Sequence, residues 1–391
     1  MEKIEYTDEN PWSPWPKTSE KNMPKEWEHF QSNRNIPEPD KILACYAPFN
    51  HMRIGRTGNI KPCCFAISPL KWKKGEAGLR DFWFGDLNSQ YRDDLLDQSL
   101  HRGCERVCGD RIRNKIPPPI VDYDWNYHNR LEHAMGSENY PKVFEFEISN
   151  LCNMACPMCL GELSSKHMLG RDKDLKVYEP NVFDIDENLE ELLEQLKEFI
   201  PHLETIRFTG GEPFAHKAFY EIAQMIVELN PNMVIEITTN GSIYNKKVER
   251  FCGILKNMNI SLSLDTVDPD EYALIRIGGK YENTFANIQK FKDKLGSRNV
   301  KINSTLMSVN AKNIDKFFWY AEENKFGIFI NVYDRQGRDH TPDWSLRHLN
   351  NDDIYDILDK LKPLSEIQGE DRSDFTKALS KTVSLLKQAI T

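Results

Sequence analysis

The sequence predicts an α/β protein: a partial (β/α)6 barrel, preceded by a small irregular cysteine-rich domain and followed by a helical C-terminal tail. Three observations carry this. From residue 143 onward, short alternating segments take turns with stretches of helical spacing. Those alternating segments are apolar on one face and polar on the other. Before residue 116, cysteines cluster and long periodic stretches are few.

The elements follow in order. Residues 1–40 include Pro11-Trp12-Ser13-Pro14-Trp15-Pro16. Proline locks φ and removes a donor, so this stretch is expected to be an extended arm packed on the body through its tryptophans. Residues 41–115 carry five cysteines and read as a metal-stapled module. Ile116-Pro117-Pro118-Pro119 breaks the chain, and residues 116–142 read as a linker. The barrel is expected over residues 143–335, with strands at 143–149, 204–209, 234–239, 260–265, 301–307 and 328–333. Helices are expected from Leu189 to Ile200 and at 217–229, 245–257, 281–295 and 311–323. Six such repeats argue for a parallel sheet with right-handed crossovers. Residues 336–391 form the tail, where Ile354, Ile357, Leu358 and Leu361 share one helical face.

Parallel strands buried on both faces are apolar throughout. Here Phe144, Phe146, Ile206, Phe208, Ile235, Ile237, Leu262, Ile302, Ile330 and Val332 alternate with polar residues. The apolar face must pack on helices, and the polar face must line a wet or ligand-filled space. Glu145, Glu147, Asn303, Asn331 and Tyr333 on that face are candidates to touch a substrate.

Composition narrows the class. The chain is 39% hydrophobic and 28% charged, an ordinary globular balance. A net charge of -9 argues against a broad basic surface for nucleic acid, and Lys71, Lys73 and Lys74 read as a solvated loop. No apolar run approaches the roughly 20 residues of a membrane helix. The N-terminus lacks a signal-peptide core, so the expected location is cytoplasmic. Nine cysteines in a reducing compartment point to metal or redox chemistry rather than disulfides.

The strongest motif follows the first barrel strand: Cys152-Asn153-Met154-Ala155-Cys156-Pro157-Met158-Cys159. Thiolates are soft ligands suited to iron–sulfur clusters or zinc. Three of them on a four-iron cluster leave one iron open to chelate a small molecule. The loop also sits at the C-terminal end of a strand, where barrel active sites collect. The alternatives are a zinc site with His167 as a fourth ligand, or buried structural thiols.

This loop resembles the cluster loop of the radical S-adenosylmethionine (radical SAM) superfamily, with Met158 standing where an aromatic residue usually lies near the adenine. The resemblance extends along the barrel. Thr209-Gly210-Gly211-Glu212-Pro213 is similar to the motif that meets the amino group of SAM. Thr239-Asn240-Gly241 ends the third strand as in many members. Ser263 and Asp265 lie on a strand similar to one that reaches SAM's ribose or carboxylate. Arg276, before Gly278-Gly279, resembles an arginine that pairs with SAM's carboxylate. The resemblance implies a [4Fe–4S] cluster on Cys152, Cys156 and Cys159, reductive cleavage of SAM to a 5′-deoxyadenosyl radical, and hydrogen abstraction from a substrate.

Cys45, Gly58, Cys63, Cys104 and Cys108 resemble the auxiliary-cluster modules called twitch and SPASM domains, here placed before the barrel. They imply a second [4Fe–4S] cluster; a four-cysteine zinc site is the alternative, and Cys64 competes with Cys63. Such members often act on peptides or small intermediates. The expected substrate is therefore a peptide or peptide-like precursor, with a sugar, nucleotide or small metabolite as the alternative. An electron donor such as flavodoxin or ferredoxin is the expected partner, with no membrane and no nucleic acid. A zinc or electron-transfer protein without SAM chemistry is the reading from another class. Cys252, alone beside Phe251, reads as a core thiol.

Overall fold

A computed structural model describes residues 26–34, 36–38, 45–66, 70–97, 104–115, 139–174, 188–333, 341–367 and 373–390, with residues 41, 43, 68, 100 and 185 between them. The strands are β1 (His51–Ile54), β2 (Ile60–Lys61), β3 (Val143–Glu147), β4 (Thr205–Thr209), β5 (Val234–Thr239), β6 (Met258–Ser263), β7 (Val300–Leu306) and β8 (Gly327–Val332). In the first unit β2, β1 and β3 are neighbours in that order, and in the second β5, β6, β7 and β8 follow one another in sequence. The chain divides into two compact units, one within Met1–Phe146 and Glu187–Ile206, the other within Glu147–Asp186 and Arg207–Thr391.

In the first unit the expectation of an irregular module needs correcting. Residues 51–54 form β1, which runs parallel to β3 with His51 opposite Val143 and Ile54 opposite Phe146. β2 pairs antiparallel with β1. Met52 and Ile54 are buried on one face, while Arg53 reaches across to Glu145 at 2.7 Å on the other. The helices Leu79–Trp83 and Asp86–Leu96 complete this region. The arm is not extended throughout: Trp27–Ser32 is helical and buries Phe30. The run Pro11–Pro16 and linker residues 116–138 lie outside the described residues. The core gathers Phe30, Ile36, Leu43, Tyr46, Phe49, Leu95, Leu100, Cys108 and Ile112, with Cys45 and Cys104 packed against it. Each large side chain so buried stabilises by about 1.5–3 kcal/mol.

The helix Leu189–Phe199 belongs to this unit and buries Leu189, Leu192, Leu196 and Phe199 at the expected helical spacing. Gln195 Oε1 on its flank accepts from Trp72 Nε1 at 2.9 Å and from the Leu79 amide at 3.0 Å.

In the second unit β5 to β8 are parallel. Leu262, Ile302 and Ile328 are in register, so one apolar row crosses three strands. Helices Lys217–Leu229, Lys246–Ile254, Tyr281–Leu295 and Ile314–Asn324 connect the strands, as the 3.6-residue pattern predicts. The fourth barrel strand begins two residues earlier than expected, at Met258, which leaves Leu264 and Asp265 in the loop beyond it. Alternation fails at β8: Val332, placed on the apolar face by pattern, is 40% exposed. β8 is the last strand in the order, with only one neighbour to share its burial. The tail is helical at Asn351–Leu361 and Ser373–Gln388, and Phe375 packs edge-on against Phe318. Among the described residues no helix is long and apolar enough to cross a membrane.

Candidate metal centre and cofactor site

The loop after β3 is clasped by the loop after β4. The Ile148 amide donates to the Thr209 carbonyl at 3.2 Å, Gly211 to Ser149 at 2.6 Å and Glu212 to Leu151 at 2.8 Å. Gly210 has φ +99°, and a Cβ there would stand 2.6 Å from the Ser149 carbonyl; at Gly211 one would stand 2.2 Å from the Leu151 carbonyl. The resemblance sets these glycines in a motif that meets the amino group of SAM. The structure gives them a nearer neighbour: the backbone of the cysteine loop itself.

Within the loop the three cysteines lie close enough for their charges to act on one another. Burial pushes each thiol up, Cys159 to about 12, and the charges of Cys156 and Cys152 add to the rise at Cys159. The Met154 amide points at Cys152 Sγ, 3.5 Å away. Among the described residues no group of three or more His, Cys, Asp and Glu side chains is drawn together tightly enough for one ion. A four-iron cluster takes one thiolate per iron, so its ligands need not converge on one atom. Three soft, mutually close thiols with an amide aimed at one sulfur fit that group. His167, the alternative ligand, is buried and turns Nε2 to the Cys156 carbonyl at 2.8 Å.

Glu212 is 1% exposed. Its Oε1 accepts from Thr239 Oγ1 at 2.8 Å and the Phe214 amide at 3.1 Å, and its Oε2 accepts from the Asn240 amide at 2.8 Å. A carboxylate has about four acceptor sites. Oε2 therefore keeps acceptor capacity for an ammonium. Burial pushes Glu212 up to about 7 against these three donors. Asn240 Nδ2 donates to Asn153 Oδ1 at 2.9 Å and lies 3.8 Å from Cys152 Sγ; Ser242 closes the ring by donating to Asn240 and accepting from Asn153.

Asp265 and Arg276, expected separately at SAM, form a buried pair with 2.6 Å between Oδ2 and Nη2. The contact satisfies distance but not hydrogen-bond direction, since Asp265 Oδ2 and Arg276 Nε have no hydrogen-bond partner. Asp265 adopts φ +65°, rare for a non-glycine residue, and Thr305, Ser304 and Asn310 hold it there. Arg276 Nη1 lies 3.9 Å from Cys156 Sγ. Burial acts to lower the pKa of Arg276, but the charges of Asp265 and Cys156 outweigh it and the net shift is upward. Ser263 ends β6, half-buried. Met158 packs on an apolar cluster of Ile275, Met307 and Tyr333, flanked by Val309 and Trp344. The Tyr333 hydroxyl is bonded at 2.8 Å to both Thr341 Oγ1 and the Pro342 carbonyl, a packing role. Cys252 is a core thiol, buried beside Met258 Sδ at 3.7 Å.

A second cysteine site lies in the first unit. Burial raises the Cys104 thiol well above its ordinary range, and Cys63, Cys108 and Cys45 add to the rise. Cys63 is pushed up to about 11 by burial and then by Cys64. The Ala47 amide points at Cys45 Sγ at 3.3 Å and the Ala66 amide at Cys63 Sγ at 3.2 Å. Of the cysteines named from spacing, Cys45, Cys63 and Cys108 thus all act on the charge of Cys104.

Residues 146–318 match the sequence model of the Radical SAM superfamily. The match takes in the strands from β4 to β7 and the cysteine loop. Curated relatives share parts of it: a GTP 3′,8-cyclase of Mannheimia succiniciproducens is 28% identical over 194 residues, covering 48% of this chain and 52% of that protein. A GTP 3′,8-cyclase of Peptoclostridium acidaminophilum is 26% identical over 238 residues, covering 60% and 66%. The chain therefore spans between about half and two thirds of the length of these relatives. Among solved structures, SuiB of Streptococcus suis has a TM-score of 0.42 at 16% identity over 66% of this chain and 55% of its own. The matched segment contains all three loop cysteines, Glu212, Asn240, Asp265 and Arg276.

The sequence did not reveal what holds the cysteine loop. Ser164, Ser165, Lys166, His167, Arg171 and Asp172 all bond to the stretch from Cys152 to Gly161. A polar run directly after a metal-ligand loop is the one signal that was visible.

Proposed function

We propose that the protein is a radical SAM enzyme that carries its SAM-binding [4Fe–4S] cluster on Cys152, Cys156 and Cys159 and acts on a nucleotide. One observation carries the first part: a three-cysteine loop clasped by Gly210 and Gly211 sets Cys156 Sγ 3.9 Å from Arg276, which is paired in turn with the buried Asp265. When bound, the cluster and SAM would supply one-electron cleavage to a 5′-deoxyadenosyl radical able to take hydrogen from an unactivated carbon.

The chain's own residues do the rest. Glu212 holds a proton-bearing amino group through Oε2, and its burial makes that contact strong once the carboxyl ionises. Asn240 and Asn153 fix the first cysteine's side of the loop. Arg276 offsets thiolate charge at Cys156 through Nη1 and keeps its Nε–H for a carboxylate. Met158, Ile275, Met307, Val309 and Trp344 give an apolar wall for a flat ring and keep water from it. The relatives' name, GTP 3′,8-cyclase, supports the nucleotide over the peptide expected from the twitch and SPASM resemblance.

Cys45, Cys63, Cys104 and Cys108 would hold a second [4Fe–4S] cluster, with zinc as the alternative that metal analysis separates. A flavodoxin or ferredoxin in the cytoplasm would supply the electron. The test is anaerobic reconstitution, with dithionite, SAM and GTP, following 5′-deoxyadenosine and loss of GTP by chromatography. Formation of both together supports the reading. 5′-Deoxyadenosine without any change in GTP, ATP or other nucleotides counts against the substrate class. A brown, loaded protein that never cleaves SAM counts against the reaction.

A further inference from the structure

Most of the side chains that hold the cysteine loop donate to it, while Ser165 and Asp172 accept from the Cys152 and Gly161 amides at its two ends. From Asn153 to Cys159, five of seven peptide carbonyls are captured by the segment that follows. Lys166 Nζ donates to Asn153 at 2.6 Å, Ser164 Oγ to Met154 at 3.1 Å and His167 Nε2 to Cys156 at 2.8 Å. Arg171 forks: Nη1 donates to Pro157 at 2.7 Å and Nη2 to Cys159 at 2.6 Å. A carbonyl can only accept, so His167 carries its proton on Nε2.

Arg171 is itself held. Its Nε donates to Asp172 Oδ1 at 2.6 Å and Nη2 to Oδ2 at 2.9 Å, while Oδ2 also accepts from the Gly161 amide at 2.7 Å. Asp172 is 2% exposed. The guanidinium's planar fork matches two carbonyls at fixed separation, which a lysine ammonium cannot do.

The consequence is electrostatic. The Asn153–Met154 peptide, whose oxygen Lys166 captures, turns its N–H toward Cys152 Sγ; the Ala155 amide goes to the Ile277 carbonyl and Pro157 has none. That amide and the two cations bonded to the loop, Lys166 and Arg171, stabilise added negative charge on the thiolate side. We propose that Arg171, braced by Asp172, is a positioning residue that polarises the cysteine loop and raises the reduction potential of the group bound there. This rests on the reading that Cys152, Cys156 and Cys159 hold a cluster.

The test uses the full chain. Arg171→Ala and Arg171→Lys are reconstituted beside the wild type, and the midpoint is read by EPR-monitored titration without SAM. The expected result for Arg171→Ala is about a tenfold smaller reduced-to-oxidised ratio at a fixed potential, a fall of about 59 mV for one electron. Arg171→Lys keeps the charge but not the fork, and should fall by less than half as much. In the metal-free chains, iodoacetamide should label Cys159 several-fold faster in Arg171→Ala than in the wild type. If Arg171→Ala takes up no iron at the loop while unfolding as the wild type does, positioning is supported, and Arg171→Lys supplies the potential. Unchanged midpoints in both variants overturn the inference. Unchanged Cys159 labelling overturns the loop contact on its own. A wild type that loads no iron on the three cysteines instead overturns the cluster reading.

Discussion

Cys104 and Cys156 are both thiols pushed up by burial, yet their electrical surroundings differ. At Cys104 the neighbours that add to the rise are three more cysteines and Asp94. At Cys156 the first charge acting is Arg276, which pulls the other way. Cys45, Cys104 and Cys108 lie at an apolar core, and with Cys63 they would make a closed ligand set. The three-cysteine site has one ligand fewer and a buried cation beside it. Closed sets suit structure or electron storage, whereas an open position suits binding of a reactant. At the three-cysteine loop the missing thiolate would leave room for a small molecule with its own charge, with Arg276 and Glu212 as its expected contacts.

Removing each set in turn would break this comparison most sharply. Replacing Cys152, Cys156 and Cys159 with Ala should abolish SAM cleavage and leave about four irons per chain, or the zinc of the alternative, at the other site. Cys104→Ala should do the reverse, emptying the N-terminal site while SAM still perturbs the EPR signal of the loop cluster. Loss of all metal in the triple variant would contradict two independent sites.

The buried pair gives the next largest effect. Asp265→Asn leaves Arg276 without its counter-charge at a place where Asp265 is 2% and Arg276 8% exposed. Stability should fall by about 3–5 kcal/mol, read from the urea midpoint. Gly211→Ala should cost about 1–3 kcal/mol and reduce iron uptake at the loop, because its Cβ has no room against Leu151. An unshifted midpoint there would mean that the two loops are not locked together.

The smallest effect sharpens the role of Glu212. A carboxyl raised by burial to about 7 is largely protonated at pH 6 and largely ionised at pH 8. Only the ionised form attracts an ammonium. SAM affinity of the loaded protein should therefore rise about tenfold over that range, and the rise should vanish in Glu212→Gln. A flat wild-type profile would remove Glu212 from the amino-group contact.

How much of this was legible differs between the two regions for physical reasons. The barrel strands announce themselves because each has a helix-facing apolar side, and β5 and the helices Lys217–Leu229 and Tyr281–Leu295 match the pattern residue for residue. β1 does not, because His51-Met52-Arg53-Ile54 is only four residues long and its polar face is charged. Asp265 and Arg276 were legible singly as polar residues near a ligand, but their pairing depends on the turn that φ +65° at Asp265 creates. The bracing of the cysteine loop was hidden for a simpler reason. Lys166, His167 and Arg171 bond to backbone carbonyls, and a carbonyl leaves no mark in a sequence.

The most direct test of the central claim is the anaerobic assay of reconstituted protein with SAM and dithionite. The account predicts 5′-deoxyadenosine from the wild type and none from the Cys152, Cys156 and Cys159 triple variant. Equal amounts from both, or none from a wild type loaded with cluster and supplied with nucleotide, would contradict it.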